Sequence, residues 1–339
     1  MVYRVLLALG AAFLCAAEAP PPPPQLEAYV KYGRFEPGDY AWIKGRFDDS
    51  TPDEKAAYEA IMRWYGACSM AARAEQRATL IAEGYPEAGL ERLALAPDQC
   101  LGFGQPPVAD TRSFAAFERE LAAVRPVMET YLAAVGVAEE ASRPGSRADL
   151  ARQLEARPVG EQMLRLALNW SRGMSATSPG LTPVGQAIFM SRIGPAIAAR
   201  DFANTEWLKG VIAEHGWPKI SEVGQEAGMY AWLLAQHADH DPLFQRDVLR
   251  LIEPLAAQGE VRKPDFAYLY DRVMLKWAGK QRYGSQAECR DGRLQPQPLE
   301  DEAAVNRLRA EMDLGPVEDY MAMMNERSGP CQSPPGRTG

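Results

Sequence analysis

The sequence predicts an all-α fold, a multi-helix orthogonal array in two helical halves with little or no β-sheet. Apolar residues recur at helical spacing along most of the 339 residues. No run shows the clean two-residue alternation, bounded by turns, that is typical of a half-buried strand. No repeat of consistent period is present either, so a solenoid is not expected.

The first 19 residues have the composition of an export signal. Arg4 supplies a positive charge, Val5 to Ala17 form an apolar run, and small residues lie at Cys15, Ala16, Ala17 and Ala19. This run is shorter than the roughly 20 residues that cross a bilayer, and we expect neither lipidation of Cys15 nor a later membrane span. The sequence therefore predicts an exported protein, periplasmic or extracellular.

Composition limits the classes of partner. The formal net charge is −8 and hydrophobic residues make up 47% of the chain, as in ordinary globular proteins. No basic patch with interleaved aromatic residues is present, so nucleic acid is not an expected partner. A small polar ligand or a protein remains as the expected partner.

Four segments follow the predicted signal peptide. Residues 20–50 form a proline-rich spacer and an arm that packs on the helical body, because their aromatic residues are too many for a free linker. Residues 51–200 form an N-terminal helical domain, 201–326 a C-terminal helical domain, and 327–339 a tail. The aromatic residues of the arm are Tyr32, Phe35, Tyr40, Trp42 and Phe47.

Helix starts in the N-terminal domain carry recognisable capping residues. Thr51-Pro52-Asp53-Glu54 combines a capping box with proline at the first helical position. A second helix is predicted from Met70 to Glu83. Long amphipathic patterns follow over 113–135, with Pro126 expected to kink or split the helix, over 159–172, and from Thr182 to about residue 199.

The C-terminal domain should contain six helices. The first opens at Asn204 and ends at Gly216, where glycine suits the left-handed position after a helix. Asp241 and Pro242 form an N-cap and first-position pair. The predicted helices are 204–215, 225–240, 242–253, 264–280, 299–314 and 317–326.

Four cysteines remain after the predicted signal peptide, and an even number in an exported chain favours two disulfides. Sequence proximity favours the pairs Cys68–Cys100 and Cys289–Cys331. Four buried free thiols are the alternative. No two cysteines have the spacing of a thiolate zinc site.

Several short polar motifs follow one another between residues 215 and 286. They are His215-Gly216-Trp217-Pro218, Gln236-His237-Ala238-Asp239, Asp271-Arg272 and Gln281-Arg282-Tyr283-Gly284-Ser285-Gln286. This order, over about residues 201–326, resembles a bacterial domain family of unknown function. That family usually has threonine at the position of Ser285. The resemblance implies a shared domain and a shared set of polar positions, but no activity.

The motifs predict a polar pocket in the C-terminal half. Its expected lining is His215, Gln236, His237, Asp271, Gln281, Tyr283 and Gln286. Trp217, Gln236, Arg272, Gln281, Tyr283 and Gln286 are the candidate ligand-binding residues, while His237, His215 and Asp271 are the candidate catalytic ones. We expect these three to converge within hydrogen-bonding reach. The polar loop 281–286 is equally typical of ligand contacts and of hydrogen bonds that staple a loop.

Two other roles, one structural and one metal-binding, are possible for the histidines. His237 and His240 lie in the last predicted turn of a helix, where a positive charge is stabilised by the helix dipole. A zinc site would need His237, His240, Asp241 and possibly His215, but the familiar His-Glu-x-x-His spacing is absent. We therefore expect no bound metal and no cofactor.

Two functional hypotheses remain. The leading one is a non-catalytic module that binds a small ligand or a protein, because glutamine and tyrosine suit hydrogen-bonded recognition. The alternative is a hydrolase or lyase in which His237 acts as general base, with Asp271 or a metal beside it. No sequence motif marks a nucleophile, a Walker loop or a dinucleotide site.

Overall fold

The computed structural model describes residues 20–90, 95–96, 99–104, 106–107, 111–145, 149–171, 179–328 and 331. The predicted signal peptide, residues 1–19, and most of the predicted tail, 327–339, lie outside the described residues. Export therefore stays a prediction.

Helices dominate the described chain, and the predicted all-α class is confirmed. Their bounds are α1 (Pro52–Ala82), α2 (Glu87–Leu90), α3 (Phe114–Ser142), α4 (Leu150–Ala156), α5 (Val159–Ser171), α6 (Pro183–His215), α7 (Ile220–Val223), α8 (Gln225–Gln236), α9 (Pro242–Ala257), α10 (Lys263–Ala278), α11 (Val305–Glu311) and α12 (Val317–Ser328). Short 3-10 helices cover Pro24–Tyr29, Ala41–Arg46 and Gln99–Gly102.

Extended structure in the described residues is limited to two small antiparallel hairpins and one isolated bridge. Strand β1 (Val30–Lys31) pairs with β2 (Arg34–Phe35), and β3 (Ala287–Arg290) pairs with β4 (Arg293–Pro296). The bridge joins Gln281 to Leu299.

Two large apolar cores lie along the chain, and α6 contributes to both. Ile188 and Ile193, in its first half, are fully buried with the arm, α1, α3 and α5. Leu208 and Val211, in its second half, are buried with α4, α8, α9 and α10. Helix α6 therefore connects the two halves, and residues from both halves can meet along it.

The predicted capping residues are found at the predicted helix starts. Thr51 and Glu54 form the reciprocal capping box of α1, and Thr182 accepts from the backbone of Gly185 at the start of α6. Asp241 accepts a hydrogen bond of 2.9 Å from the Phe244 N–H at the start of α9. Each side chain satisfies an N–H group that the helix itself leaves without a partner.

Several predicted helix limits are wrong. The break before Met70 is absent because α1 is continuous, and Pro126 lies inside α3 without dividing it. Helix α6 also runs without interruption through residues 199–204. Asn204 and Thr205 resemble a helix start, but both are buried inside α6, where the Thr205 hydroxyl donates to the Asp201 carbonyl at 2.7 Å. Packing on both cores outweighs this local capping signal.

The predicted packing of the arm is confirmed for most of its aromatic residues. Tyr40, Trp42 and Phe47 are buried in the first core, and Phe35 packs against it. Tyr32 is fully exposed in the turn between β1 and β2, so its expected packing is wrong.

Both disulfide pairings favoured by the sequence are present. Cys68 of α1 is bonded to Cys100, and Cys289 of β3 is bonded to Cys331. The first bond ties the 99–102 turn to α1. The second ties the residue after α12 to the β3–β4 hairpin.

Helix α3 is long and apolar enough to cross a membrane by length and composition, which the sequence analysis did not expect. Its buried stripe includes Phe117, Leu121 and Val124, which lie in the first core. Core helices of proteins without membrane spans have the same composition.

Candidate functional site

Gln281, a predicted ligand-binding residue, holds the loop that contains it. Its side chain is fully buried. The amide nitrogen donates to the carbonyls of Gln286 at 2.8 Å and Gln297 at 2.9 Å. The amide oxygen accepts from the Gln286 N–H at 2.9 Å. These contacts use most of the hydrogen-bonding capacity of the side chain.

Asp271 organises the same loop from α10. This fully buried carboxylate accepts from the backbone N–H groups of Arg282 at 2.8 Å, Tyr283 at 2.9 Å and Ser285 at 2.8 Å. Gly284 between them has φ +63°, a conformation that favours glycine. Burial raises the pKa of Asp271, and the three N–H bonds oppose that rise without cancelling it.

The remaining predicted residues of the loop are also engaged within the chain. Tyr283 is buried and packs edge-on against Tyr270, with ring centroids 5.6 Å apart. Its carbonyl accepts from the buried Arg309 at 2.6 Å. The side chain of Gln286 donates to the Ser285 hydroxyl at 3.2 Å. These contacts hold the loop together, and the predicted role of its residues in ligand binding stays a prediction.

A second network closes the turn between α8 and α9. The Arg272 guanidinium donates through two nitrogens to the carboxylate of Asp239, and Lys276 donates to the same carboxylate at 2.6 Å. Lys276 also reaches the Gln245 amide oxygen at 2.6 Å, while the Gln245 nitrogen donates to the carbonyls of Ala235 and Gln236. Burial raises the pKa of Asp239, but Arg272 and Lys276 hold it well below its usual value.

Trp217 and Gln236, the two other predicted ligand-binding residues, keep orphan polar atoms. The Trp217 indole nitrogen and the Gln236 amide oxygen are buried and have no hydrogen-bond partner in the described part of the chain. Such groups are uncommon in folded proteins because burying an unpaired polar atom costs free energy. Their predicted role in ligand binding stays a prediction.

The third group forms around His237, the residue after the end of α8. Its Nδ1 lies 3.0 Å and 2.8 Å from the two carboxylate oxygens of Glu161, which is fully buried in α5. The His237 side chain is 15% exposed. Glu161 is therefore the carboxylate that faces the histidine, a place that the sequence analysis gave to Asp271.

Two further charged residues complete this group. Arg165, one turn along α5, donates its Nε to Glu161 at 3.0 Å and its Nη2 to both oxygens of Asp201 at 2.8 Å. Asp201 comes from the middle of α6. We call Glu161, Arg165, Asp201 and His237 the charged cluster.

The pKa values of the two carboxyl groups in the charged cluster shift in opposite directions. Burial raises the pKa of Glu161, but the hydrogen bond and charge of His237, with Asp201 and Arg165, outweigh burial and lower the pKa to about 2. Burial and the hydrogen bond to Glu161 raise the pKa of Asp201 to about 8, although Arg165 opposes the rise. Of the two, Glu161 is thus the carboxyl group that ionises more readily, and Asp201 the one that releases its proton at higher pH.

The other two histidines lie apart from this group. The His215 side chain is 56% exposed beside Glu214. His240 lies near the ring of Phe202, and its buried Nε2 has no hydrogen-bond partner among the described residues; burial lowers its pKa. His215, His237 and Asp271 share no hydrogen bond in the described structure. The predicted convergence of these three residues is therefore wrong, because each is engaged by a different element.

One ligand atom from each of Glu161, Asp201 and His237 lies within 4.8 Å of the others, a separation compatible with a metal ion. However, the guanidinium of Arg165 already donates to both carboxylates and supplies the positive charge that a metal would bring. The sequence expectation of no bound metal stays a prediction.

Residues 181–330 match a family of unknown function, DUF6624. No curated protein and no solved structure matches the chain. The match spans α6 to α12 and includes Asp201 and His237 of the charged cluster, whereas Glu161 and Arg165 precede the DUF6624-like segment. The cluster is therefore assembled from residues inside and outside the segment that resembles the family.

Three members of the charged cluster were not among the predicted site residues. Glu161, Arg165 and Asp201 belong to no motif, and α5 was recognised only by its apolar stripe. One signal was present: Glu161 lies three residues before Leu164 and seven before Leu168, on the face that packs in the core. A carboxylate on the apolar face of a helix requires a buried partner.

We expect Asp201→Asn to flatten the dependence of stability on pH between about 4 and 8. The folded pKa of Asp201 is raised from 3.8 to about 8, so folding favours the protonated form. Its contribution is complete below the unfolded pKa and is lost as pH rises through the folded pKa. An asparagine cannot ionise, and its amide donates to Glu161 as the carboxylic acid does.

Urea unfolding at pH 5 and pH 9 measures this effect. Between these two pH values, the free energy of unfolding should fall by at least about 1 kcal/mol more in the wild-type protein than in Asp201→Asn. Asp48→Asn, at an exposed position, serves as control. Parallel losses in the wild type and Asp201→Asn would show that Asp201 is ionised throughout.

Proposed function

We propose that the protein is an enzyme of the hydrolase or lyase class, in which His237 is the general base and Glu161 its orienting carboxylate. One observation carries the proposal: Nδ1 of His237 lies 2.8 Å from an oxygen of a carboxylate with no exposed surface. Nε2 is then the atom left to take a proton. This function is the alternative suggested by the sequence, with Glu161 now in the place of Asp271.

The pairing with Glu161 sets the chemistry available to the imidazole. An ionised carboxylate accepts a hydrogen bond only from a protonated Nδ1, so it selects the tautomer with a lone pair on Nε2. When Nε2 takes a proton from a substrate or a water molecule, the adjacent negative charge stabilises the imidazolium. Arg165 donates its Nε to the same carboxylate and helps to hold Glu161 in place.

The same contacts disfavour the recognition module that the sequence placed first. That hypothesis relies in part on Gln281, Tyr283 and Gln286 as donors and acceptors for a ligand. The buried hydrogen bonds of Gln281 and the packing of Tyr283 are instead directed at the loop itself. His237 retains a side chain that is accessible in part and an orienting partner, which are the requirements of a general base.

The proposal is tested by the tautomer of His237 and by its effect on turnover. Two-dimensional ¹H–¹⁵N spectra of the histidines at pH 8 should show His237 with a protonated Nδ1, and Glu161→Gln should shift that population. In a panel of p-nitrophenyl esters and phosphates, any turnover should fall at least about 100-fold in His237→Gln. The exposed Glu302→Gln variant is the matched control.

Two results would contradict this function. One is a His237 tautomer protonated at Nε2; the other is turnover that is equal in the wild type and His237→Gln. Elemental analysis of the same preparations, purified without chelator, addresses the metal alternative. One equivalent of zinc that is lost in His237→Gln would replace the general-base assignment with a metal centre.

A further inference from the structure

A cavity of about 370 Å³ lies between the arm, the 99–104 turn and the middle of α6. Its volume is within the range of small-molecule sites. The walls include Phe35 and Trp42 from the arm, Leu101 from the turn, and Arg192 and Ala196 from α6. None of the residues discussed above as candidate catalytic or ligand-binding residues lines it.

The lining carries more positive than negative charge. The charged residues of the lining are three arginines and one acidic residue: Arg34, Arg192, Arg200 and Glu36. Arg200 is held by two hydrogen bonds to Glu139, which lies outside the lining. Arg192 is held more loosely, since its nearest contact with the carboxylate of Glu36 is 3.5 Å and both side chains are partly exposed. A ligand carboxylate can form the two parallel hydrogen bonds with Arg192 that Glu36 does not.

Aromatic groups cover another wall. The rings of Phe35 and Trp42 meet edge to face, 5.3 Å apart. The indole nitrogen of Trp42 is buried and has no hydrogen-bond acceptor among the described residues. A buried N–H without an acceptor costs free energy, so an oxygen atom of a ligand would remove this cost.

Strained backbone supports the same site. Tyr40 and Leu101, both in the cavity wall, have φ of 61°, and Cys100 beside Leu101 has φ of 50°. Residues other than glycine rarely adopt this conformation, and in structures it clusters at ligand sites. These segments are held by the disulfide between Cys100 and Cys68 and by a hydrogen bond of 2.5 Å between the hydroxyls of Tyr40 and Ser191.

We propose that this cavity binds a small carboxylate with an aromatic or other apolar body. Arg192 and the indole N–H of Trp42 bind the carboxylate, while Phe35, Leu132 and Pro195 contact the apolar body. The site is independent of the proposed general base, and its occupancy does not require catalysis.

Isothermal titration with benzoate, phenylacetate and indole-3-acetate tests the site, and the three corresponding amides serve as neutral matched ligands. We expect one-to-one binding of at least one carboxylate and at least about 10-fold weaker binding of its amide. Arg192→Gln should weaken the binding of that carboxylate at least about 10-fold, and Trp42→Phe should weaken it about 3-fold or more. Arg63→Gln, on the exposed face of α1, and His237→Gln should bind as the wild type does.

Ala196→Phe fills the cavity and should abolish binding while the circular dichroism spectrum stays that of the wild type. The proposal is overturned if none of the carboxylates binds at millimolar concentration, if carboxylate and amide bind equally, or if Arg192→Gln leaves the affinity unchanged. Loss of binding in His237→Gln would place the ligand at the charged cluster and overturn it as well. If turnover fails its test and carboxylate binding remains, only the proposed enzyme function is lost.

Discussion

Asp271→Ala should lower the free energy of unfolding by about 3–5 kcal/mol, because it removes the acceptor of three buried N–H groups at once. The donors are the backbone nitrogens of Arg282, Tyr283 and Ser285. Methyl-sized alanine leaves no oxygen within reach of them. Urea unfolding followed by circular dichroism measures the loss.

Asp271→Asn separates the hydrogen bonds from the charge. Asparagine keeps one oxygen, which serves Arg282 and Tyr283, but places an NH2 group against the N–H of Ser285. We expect a loss of about 1–3 kcal/mol, below that of alanine. Asp48→Ala, at an exposed position, should change stability by less than about 0.5 kcal/mol. If Asp271→Ala costs less than about 1 kcal/mol, Asp271 does not hold the loop, and a role in ligand binding regains support.

Local chemistry made much of the fold predictable. The Thr51 capping box and the Asp241 cap depend on contacts within a few residues, so the sequence alone identifies them. Both disulfides were also predictable, since each joins cysteines that are neighbours in sequence among the four.

The continuity of α6 depends on contacts that the sequence does not display. Its first half is buried against the first core and its second half against the second, so the helix continues where Asn204 and Thr205 suggest a new start. The predicted helix over 299–314 is shortened for a similar reason. Residues near Leu299 pair with Gln281, and α11 begins only at Val305.

In the candidate site, too, local features were predictable and long-range contacts were not. The polar motifs between 215 and 286 were recognised, yet most of their hydrogen bonds serve the 281–286 loop and the turn after α8. The partner of His237 was missed because Glu161 is 76 residues away in sequence. A buried ion pair between helices leaves no spacing pattern, and only a carboxylate on an apolar stripe indicates that a partner exists.

Glu161→Ala should lower the free energy of unfolding by about 3–5 kcal/mol, because it leaves Arg165 and His237 without the buried negative charge between them. Glu161→Gln keeps the shape and one acceptor, so its loss should be smaller. Exposed Glu302→Ala is the control and should change stability by less than about 0.5 kcal/mol.

The pH dependence of the Glu161→Gln variant identifies the ionised form as the stabilising one. The folded pKa of Glu161 is lowered from 4.5 to about 2, so its contribution is present above the unfolded pKa and is lost as pH falls through the folded value. The difference in unfolding free energy between the wild type and Glu161→Gln should therefore shrink as pH falls from about 5 toward 2. A difference that grows as pH falls over this range would mean that the folded protein favours a protonated Glu161. A neutral Glu161 could neither select the tautomer of His237 nor stabilise its imidazolium, so the same measurement bears directly on the proposed general base.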